Sequence, residues 1–127
     1  MPLFKWYKKY SVNNKELDEH HKTLFGIFNR LYDNCLGRES ANCLEPILEE
    51  LVSYSRYHFL AEEQHMMDIG YKEIDKHIIE HRGFTRKTLY LQQVADKNAP
   101  EVTKELIVYL KNWLLNHIII EDKKFSI

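Results

Sequence analysis

Glycine, proline and cysteine are scarce in this 127-residue chain, at four, three and two copies. So few turn formers leave little room for the tight connections of a many-stranded sheet and favour long helices. Charge of one sign is also lacking. Lysine plus arginine number 18 against 19 aspartates and glutamates, a formal −1, so no basic excess exists to neutralise a nucleic-acid backbone. No apolar run of about 18 residues occurs, which argues against a membrane span. Residues 1–10 set three lysines among aromatic rings and lack an apolar stretch of roughly 7–15 residues with a cleavage site behind it, so no secretory leader is expected. Cys35 and Cys43 form no CxxC pair, and two cysteines are too few for a disulfide scaffold or a cysteine-based zinc site. Their simplest reading is as free, buried thiols in a reducing, cytoplasmic setting, with a bridge between them across a loop as the alternative. The length suits one domain over residues 1–127.

Against these shortages stand seven histidines. They fall into a chain with four amphipathic segments, each closed by a breaker. The first, about 17–36, carries Leu17, His21, Leu24, Phe28, Leu31 and Cys35 at intervals of three and four, and Gly37 ends it. The second, about 41–69, follows Ser40 as a candidate N-cap, tolerates Pro46 in its opening turns and ends at Gly70. Its stripe is Leu44, Leu48, Leu51, Tyr54 and His58. The third, about 71–96, carries Ile74, His77, Ile78, His81, Phe84, Thr88 and Leu91 and stops at Lys97-Asn98-Ala99-Pro100. The fourth, about 101–125, carries Val102, Leu106, Leu110, Trp113, Leu114, His117 and Ile118. Short connections force neighbours antiparallel, which predicts an all-α, up-down-up-down four-helix bundle. Residues 1–16 fit no stripe and read as an extended arm whose Phe4, Trp6, Tyr7 and Tyr10 pack on the bundle.

Every predicted helix puts a histidine on its apolar face: His21, His58, the pair His77 and His81, and His117. Glu62 lies four after His58 on the same face. Because the start of odd helices meets the end of even ones, all of these converge at one end of the bundle. Unpaired imidazoles and a carboxylate in an apolar core would each cost on the order of 1–3 kcal/mol or more, and a metal centre satisfies them together. His20 is turned about 100° from His21, and His65 lies about 10.5 Å along the axis from His58, so both read as non-ligands. For a second carboxylate, α-helical rotation favours Glu121, four after His117, over Asp122, five after it and rotated by about 140°. Asp18, three before His21, is a weaker candidate with an ordinary role in a helix's first turn.

The ordered pattern resembles the hemerythrin family over essentially the whole chain. The matching residues are Trp6, Leu17-Asp18-Glu19-His20-His21-Lys22-Thr23-Leu24-Phe25, His58-Phe59 with Glu62-Glu63, His77 with His81, Trp113-Leu114 with His117-Ile118, and Asp122. The resemblance implies two iron ions per chain, joined by an oxo or hydroxo bridge. His77, His81 and His117 would hold one and His21 and His58 the other, with Glu62 and Asp122 bridging. It therefore selects Asp122 where rotation alone favoured Glu121. Three histidines, two carboxylate oxygens and the bridge fill six positions on one iron, and the same count gives five on the other. Dioxygen is implied as the ligand of the open position, in a pocket lined by Phe59, Trp113, Leu114 and Ile118, so the implied function is reversible oxygen binding for transport, storage or delivery, without catalysis. His20 departs from the family pattern, which bears on hydrogen bonding around the ligands rather than on their number.

Three rivals use the same residues. A ferritin-like diiron oxidase or peroxidase takes glutamates from two helices and Glu-x-x-His from the other two; here Glu62-x-x-His65 occurs once. A stand-alone oxygen, redox or nitric-oxide sensor would use the same site to reshape a surface for a partner, and no output domain is visible within the chain. A structural bundle could hold zinc on these ligands.

Overall fold

The computed structural model describes residues 4–36 and 41–125. Four α-helices and no strand occur among them: α1 Lys15–Arg30, α2 Ala41–Ile69, α3 Ile74–Val94 and α4 Ala99–Asn112. They form the antiparallel up-down-up-down bundle that the sequence predicts. Two helices continue past their α-helical bonding. α1 runs into a π-helical turn, Leu31–Cys35, and α4 into a longer π-helical stretch, Trp113–Glu121, closed by a 3₁₀ turn at Asp122–Phe125.

Local chemistry sets the ends. The Asn14 side chain accepts from the Leu17 amide at 3.1 Å, capping α1, and so starts it two residues ahead of the expected position. Asp18 faces back to the arm, accepting from the Ser11 hydroxyl at 2.5 Å and the Val12 amide at 2.9 Å. α2 ends in a Schellman turn, in which Gly70 takes φ 67°. The Tyr71 amide donates to Met66 at 2.9 Å and the Gly70 amide to Met67 at 3.2 Å. The Schellman turn closes at Tyr71 and a further turn follows at Lys72 and Glu73, so α3 starts at Ile74 rather than 71. Pro100 sits in the first turn of α4, where a missing amide hydrogen costs nothing; it opens this helix, which therefore begins at Ala99. The expected terminator Gly37 and N-cap Ser40 lie outside the described residues.

Burial follows the predicted stripes. Leu24 and Phe28 of α1 and Leu31 of the π-helical turn after it meet Leu44, Leu48 and Leu51 of α2, Phe84 and Leu91 of α3, and Leu106 and Leu110 of α4 in one core. A smaller cluster of Val12, Leu17 and Met66 closes the far end. The arm lays Phe4 edge-on to Phe28 at 5.0 Å, and Trp6 edge-on to Phe25 at 5.6 Å. Asn29 ties it down by exchanging two hydrogen bonds with the Phe4 backbone, at 2.9 and 2.8 Å.

The expectation of free thiols is wrong. Cys35 and Cys43 form a disulfide, with Cα atoms 5.7 Å apart. They lie eight positions apart in the sequence, and the packing of the π-helical turn Leu31–Cys35 against the first turn of α2 brings them together. The reducing setting inferred from these cysteines loses that support. Closing a loop of eight residues removes unfolded-chain entropy equivalent to about 2–3 kcal/mol. Cys43→Ser should therefore lower the unfolding free energy of the metal-free protein by about 2 kcal/mol in urea, and an unchanged midpoint would show that the bridge adds no stability.

Candidate metal centre

Between the main core and the small cluster lies a layer of buried polar groups. His21, His58, Glu62, His77, His81, His117 and Asp122 are all at most 3% exposed. α1 supplies His21, α2 His58 and Glu62, and α3 His77 and His81. The π-helical end of α4 supplies His117, and Asp122 follows it directly.

That last segment explains why Asp122, and not Glu121, reaches the layer. The α-helical rotation applied to the sequence does not hold here. From Trp113 to Glu121 the backbone bonds i to i+5, and the Asp122 amide donates to the His117 carbonyl. A ladder of this kind widens the turn by nearly one residue, so a residue five along returns to the face of His117. Asp122 is fully buried, whereas Glu121 is partly exposed and pairs with Lys124 at 3.1 Å.

The two carboxylates divide their oxygens between two sets of histidines. Glu62 Oε1 lies 2.9 Å from His77 Nε2 and 2.8 Å from His81 Nε2, and Asp122 Oδ1 lies 2.6 Å from His77 Nε2 and 3.1 Å from His117 Nε2. On the other side, Glu62 Oε2 is 3.4 Å from His21 Nε2 and 3.1 Å from His58 Nε2, and Asp122 Oδ2 is 3.1 Å from His21 Nε2. The result is two overlapping groups, Glu62-His77-His81-His117-Asp122 and His21-His58-Glu62-Asp122. In each, the ligand atoms fall within 4.8 Å of one another.

Several of these atoms approach without bonding. His58 Nε2, His117 Nε2 and Asp122 Oδ2 are buried and make no hydrogen bond, although each has an opposite group about 3.1 Å away. Buried polar atoms left in this state are costly. Their convergence on shared points, with nitrogen and carboxylate oxygen as the donor set, fits metal ions of the iron and zinc type.

Electrostatics in the metal-free protein match this arrangement. Burial disfavours a charged His21, but Asp122 and Glu62 outweigh it and lift its pKa to about 9. His77 is also lifted to about 9 against burial by the same two carboxylates, and His117 rises as well, with Glu80 contributing. Burial alone would push Glu62 and Asp122 up, yet the surrounding imidazoles hold both below the usual carboxylate range. His58 moves the opposite way, lowered by burial that its Glu62 contact does not offset.

The outer nitrogens are held too. Glu63 Oε2 accepts from His81 Nδ1 at 2.8 Å, and Glu80 Oε2 accepts from His117 Nδ1 at 2.8 Å. His20, read as a non-ligand, places its Nδ1 3.0 Å from His58 Nδ1. His65 lies away from the layer, 3.3 Å from the Asn14 side chain.

Aromatic rings stack on three of the imidazoles. Phe59 lies on His81 at 3.9 Å, Trp113 on His117 at 3.9 Å, and Tyr54 on His58 at 5.0 Å. Of the four residues expected to line a pocket, Leu114 and Ile118 are fully buried and Phe59 nearly so, while Trp113 is half-buried. Sequence reasoning missed Tyr54 as a neighbour of the site. It is 1% exposed, and its hydroxyl has no partner. Burial, then Glu62 and Asp122, push its phenol well above the usual range, so it stays protonated. Glu80 was missed as well, since its pairing with His117 crosses from one helix to another and leaves no spacing signal.

Fold and site together define a four-helix bundle with a paired histidine and carboxylate cation site. Residues 12–126 match the family described as hemerythrin, HHE cation binding domain, and the chain belongs to the hemerythrin family. It is 34% identical over 123 residues to a hemerythrin-like protein of Naegleria gruberi, covering 97% of this chain and 91% of that protein. To the bacteriohemerythrin of Clostridium acetobutylicum it is 26% identical over 128 residues, covering 97% and 98%. The crystal structure of wild-type hemerythrin superimposes with a TM-score of 0.81 at 26% identity, over 98% of this chain and 95% of that one.

The raised histidines fix how the metal-free protein responds to pH. His21 and His77 bind protons more tightly folded than unfolded, so their contribution is complete below about 6.5 and is lost as pH rises through about 9. His58 and the partly buried His20 are lowered and act in the opposite sense, losing their contribution as pH falls below about 6.5. Glu62 and Asp122, held low, lose theirs only in stronger acid. The metal-free melting temperature should peak near pH 6.5 and fall by several degrees by pH 9. A flat or rising profile over that interval would contradict the charge assignment.

Proposed function

We propose that this protein is a non-heme diiron protein that binds dioxygen reversibly, for transport, storage or delivery, with no catalytic turnover of its own. The observation that carries the reading is the division of Glu62 and Asp122 between two histidine sets of unequal size. His77, His81 and His117 would hold one iron and His21 and His58 the other. Each carboxylate would give one oxygen to each, and an oxo or hydroxo group would complete the bridge. With three imidazoles on one side and two on the other, one coordination position stays open on the two-histidine side. A pair of ferrous ions supplies the two electrons and the vacant position that reversible dioxygen binding requires.

The chain's own residues set the conditions for that chemistry. Leu114, Ile118 and Phe59 exclude water from the layer, which removes the proton source that would help a reduced ligand leave. The family match supports the cation site, and the protonated Tyr54 stacked on His58 keeps one neutral donor beside the buried carboxylates. No helix among the described residues is long and apolar enough to cross a membrane. A cytoplasmic setting belongs to the same proposal; there the Cys35–Cys43 bridge would open, leaving the burial of Leu31 and Leu44 to hold the end of the first helix against α2.

Anaerobic reconstitution with ferrous iron tests the reading. Two irons per chain and a coloured adduct that appears in air and fades under argon over repeated cycles are expected. Zinc in the purified protein, one iron per chain, or steady oxygen consumption without release would each defeat it. The ligand assignment has its own check by iron analysis. Asp122→Ala should lose the two-iron stoichiometry while Glu121→Ala keeps it, and the reverse result would return the assignment to plain α-helical rotation.

A further inference from the structure

Outside the buried layer, a groove of about 620 Å³ opens to solvent between α2 and α3. Arg56, Arg82 and Arg86 line it, and Phe59, Leu60 and Ile78 supply its apolar surface. The sequence has five arginines. Arg38 lies outside the described residues, and Arg30 pairs with Glu50 at 2.7 Å. The remaining three are all exposed, all line this groove, and form no ion pair with any described residue. Three of the thirteen lysines are paired with acids among the described residues, Lys22 with Glu19, Lys87 with Glu105 and Lys124 with Glu121, but the other lysines do not gather around one concavity as these arginines do. The one acid in the groove wall, Glu63, has its carboxylate committed to His81 at 2.8 Å.

Three unpaired guanidinium groups around one concavity are an unusual arrangement in a chain of net charge −1. Arg82 and Arg86 stand four apart on α3, a spacing at which like charges repel. An anion between them reverses the sign of that interaction. The planar fork of each guanidinium matches two oxygens of a phosphate or carboxylate, which a lysine cannot do. Beside the charges, Leu60 is 71% exposed, an apolar surface that inorganic ions leave unused. We propose that this groove binds a small organic oxyanion, with Arg56, Arg82 and Arg86 on its phosphate or carboxylate group and Phe59, Leu60 and Ile78 against its apolar body. The site requires no metal, so it stands or falls separately from the dioxygen reading.

Calorimetric titration of the metal-free and the iron-loaded protein with phenyl phosphate, and in parallel with inorganic phosphate, tests it. One phenyl phosphate per chain is expected in both forms. Its affinity should exceed that of inorganic phosphate by about tenfold, because burying the ring on the apolar wall adds to the charge contacts, and should weaken as salt is raised. Replacing Arg82 and Arg86 together by alanine should weaken binding at least about tenfold, and Lys104→Ala, on another face, should leave it unchanged. If the double alanine variant loses helical circular dichroism, the double Arg→Lys variant replaces it. That variant keeps the charge, loses the fork, and should bind several-fold more weakly. Absence of saturable binding, equal affinity for the two phosphates, full binding by the arginine variants, or attachment to phosphatidylglycerol vesicles but not to free phenyl phosphate would overturn the proposal.

Discussion

Two carboxylates with no solvent exposure, Glu62 and Asp122, sit among five imidazoles, and the rest of the molecule is arranged to make that tolerable. A buried carboxylate without partners would abandon its charge or unfold its surroundings. Here each oxygen faces an imidazole nitrogen, at distances from 2.6 to 3.1 Å for its nearest partner. The compensation works only if four helices reach the same level together, since no single helix carries enough partners. The core of Leu24, Leu48, Leu91 and Leu110 on one side and the Val12, Leu17 and Met66 cluster on the other hold that register. They also keep out the water that would otherwise screen the charges. Packing and site are therefore one constraint: slipping any helix by a turn would strand a charge as well as open a cavity.

The fourth helix meets this constraint by giving up regular geometry. An i to i+5 ladder has poorer packing along its axis than an α-helix and usually lasts a single turn. Here it persists over nine residues, and the stretch ends where Asp122 enters the layer. With α-helical bonding, Asp122 would point away and Glu121 would take its place, one methylene longer and next to Lys124. The irregular backbone thus exchanges local bonding quality for a shorter carboxylate at the position where both histidine sets can share it.

That exchange marks where the sequence is legible and where it is not. Histidines at intervals of three and four on apolar stripes follow from α-helical periodicity, and antiparallel order puts them at one depth, so bundle and cluster can be read from spacing alone. Asp122 cannot be read that way, because the rotation rule assumes an α-helix that the chain does not form there; family resemblance named it, and the π-helical backbone supplies the reason. Glu63, Glu80 and His20 act across helix boundaries, where sequence separation holds no information about distance, whereas Tyr54 lies four before His58 on the same stripe and its spacing reads as ordinary core packing. The Cys35–Cys43 bridge depends on how closely the end of the first helix packs on the start of α2, which the spacing does not specify. The arginine groove is invisible for the same reason, since Arg56 and Arg82 become neighbours only when α2 packs on α3.

The hydrogen bonds around the layer introduce an asymmetry beyond the count of histidines. On the three-histidine side, Glu63 and Glu80 each hold an outer nitrogen of a ligand candidate at 2.8 Å. A carboxylate there draws the ring proton toward itself and makes the imidazole a stronger donor. On the two-histidine side, His58 faces the neutral-or-cationic ring of His20 at 3.0 Å, and the outer nitrogen of His21 has no hydrogen-bond partner. The side with more imidazoles thus also has the more electron-rich imidazoles, and the side with fewer is left comparatively electron-poor. A cation held on the richer side would be better compensated, while one held on the poorer side would keep more affinity for an added electron-rich ligand. Under the proposed diiron reading, number and polarisation of the histidines would act in the same direction, and both would favour the two-histidine half of the layer for an external ligand.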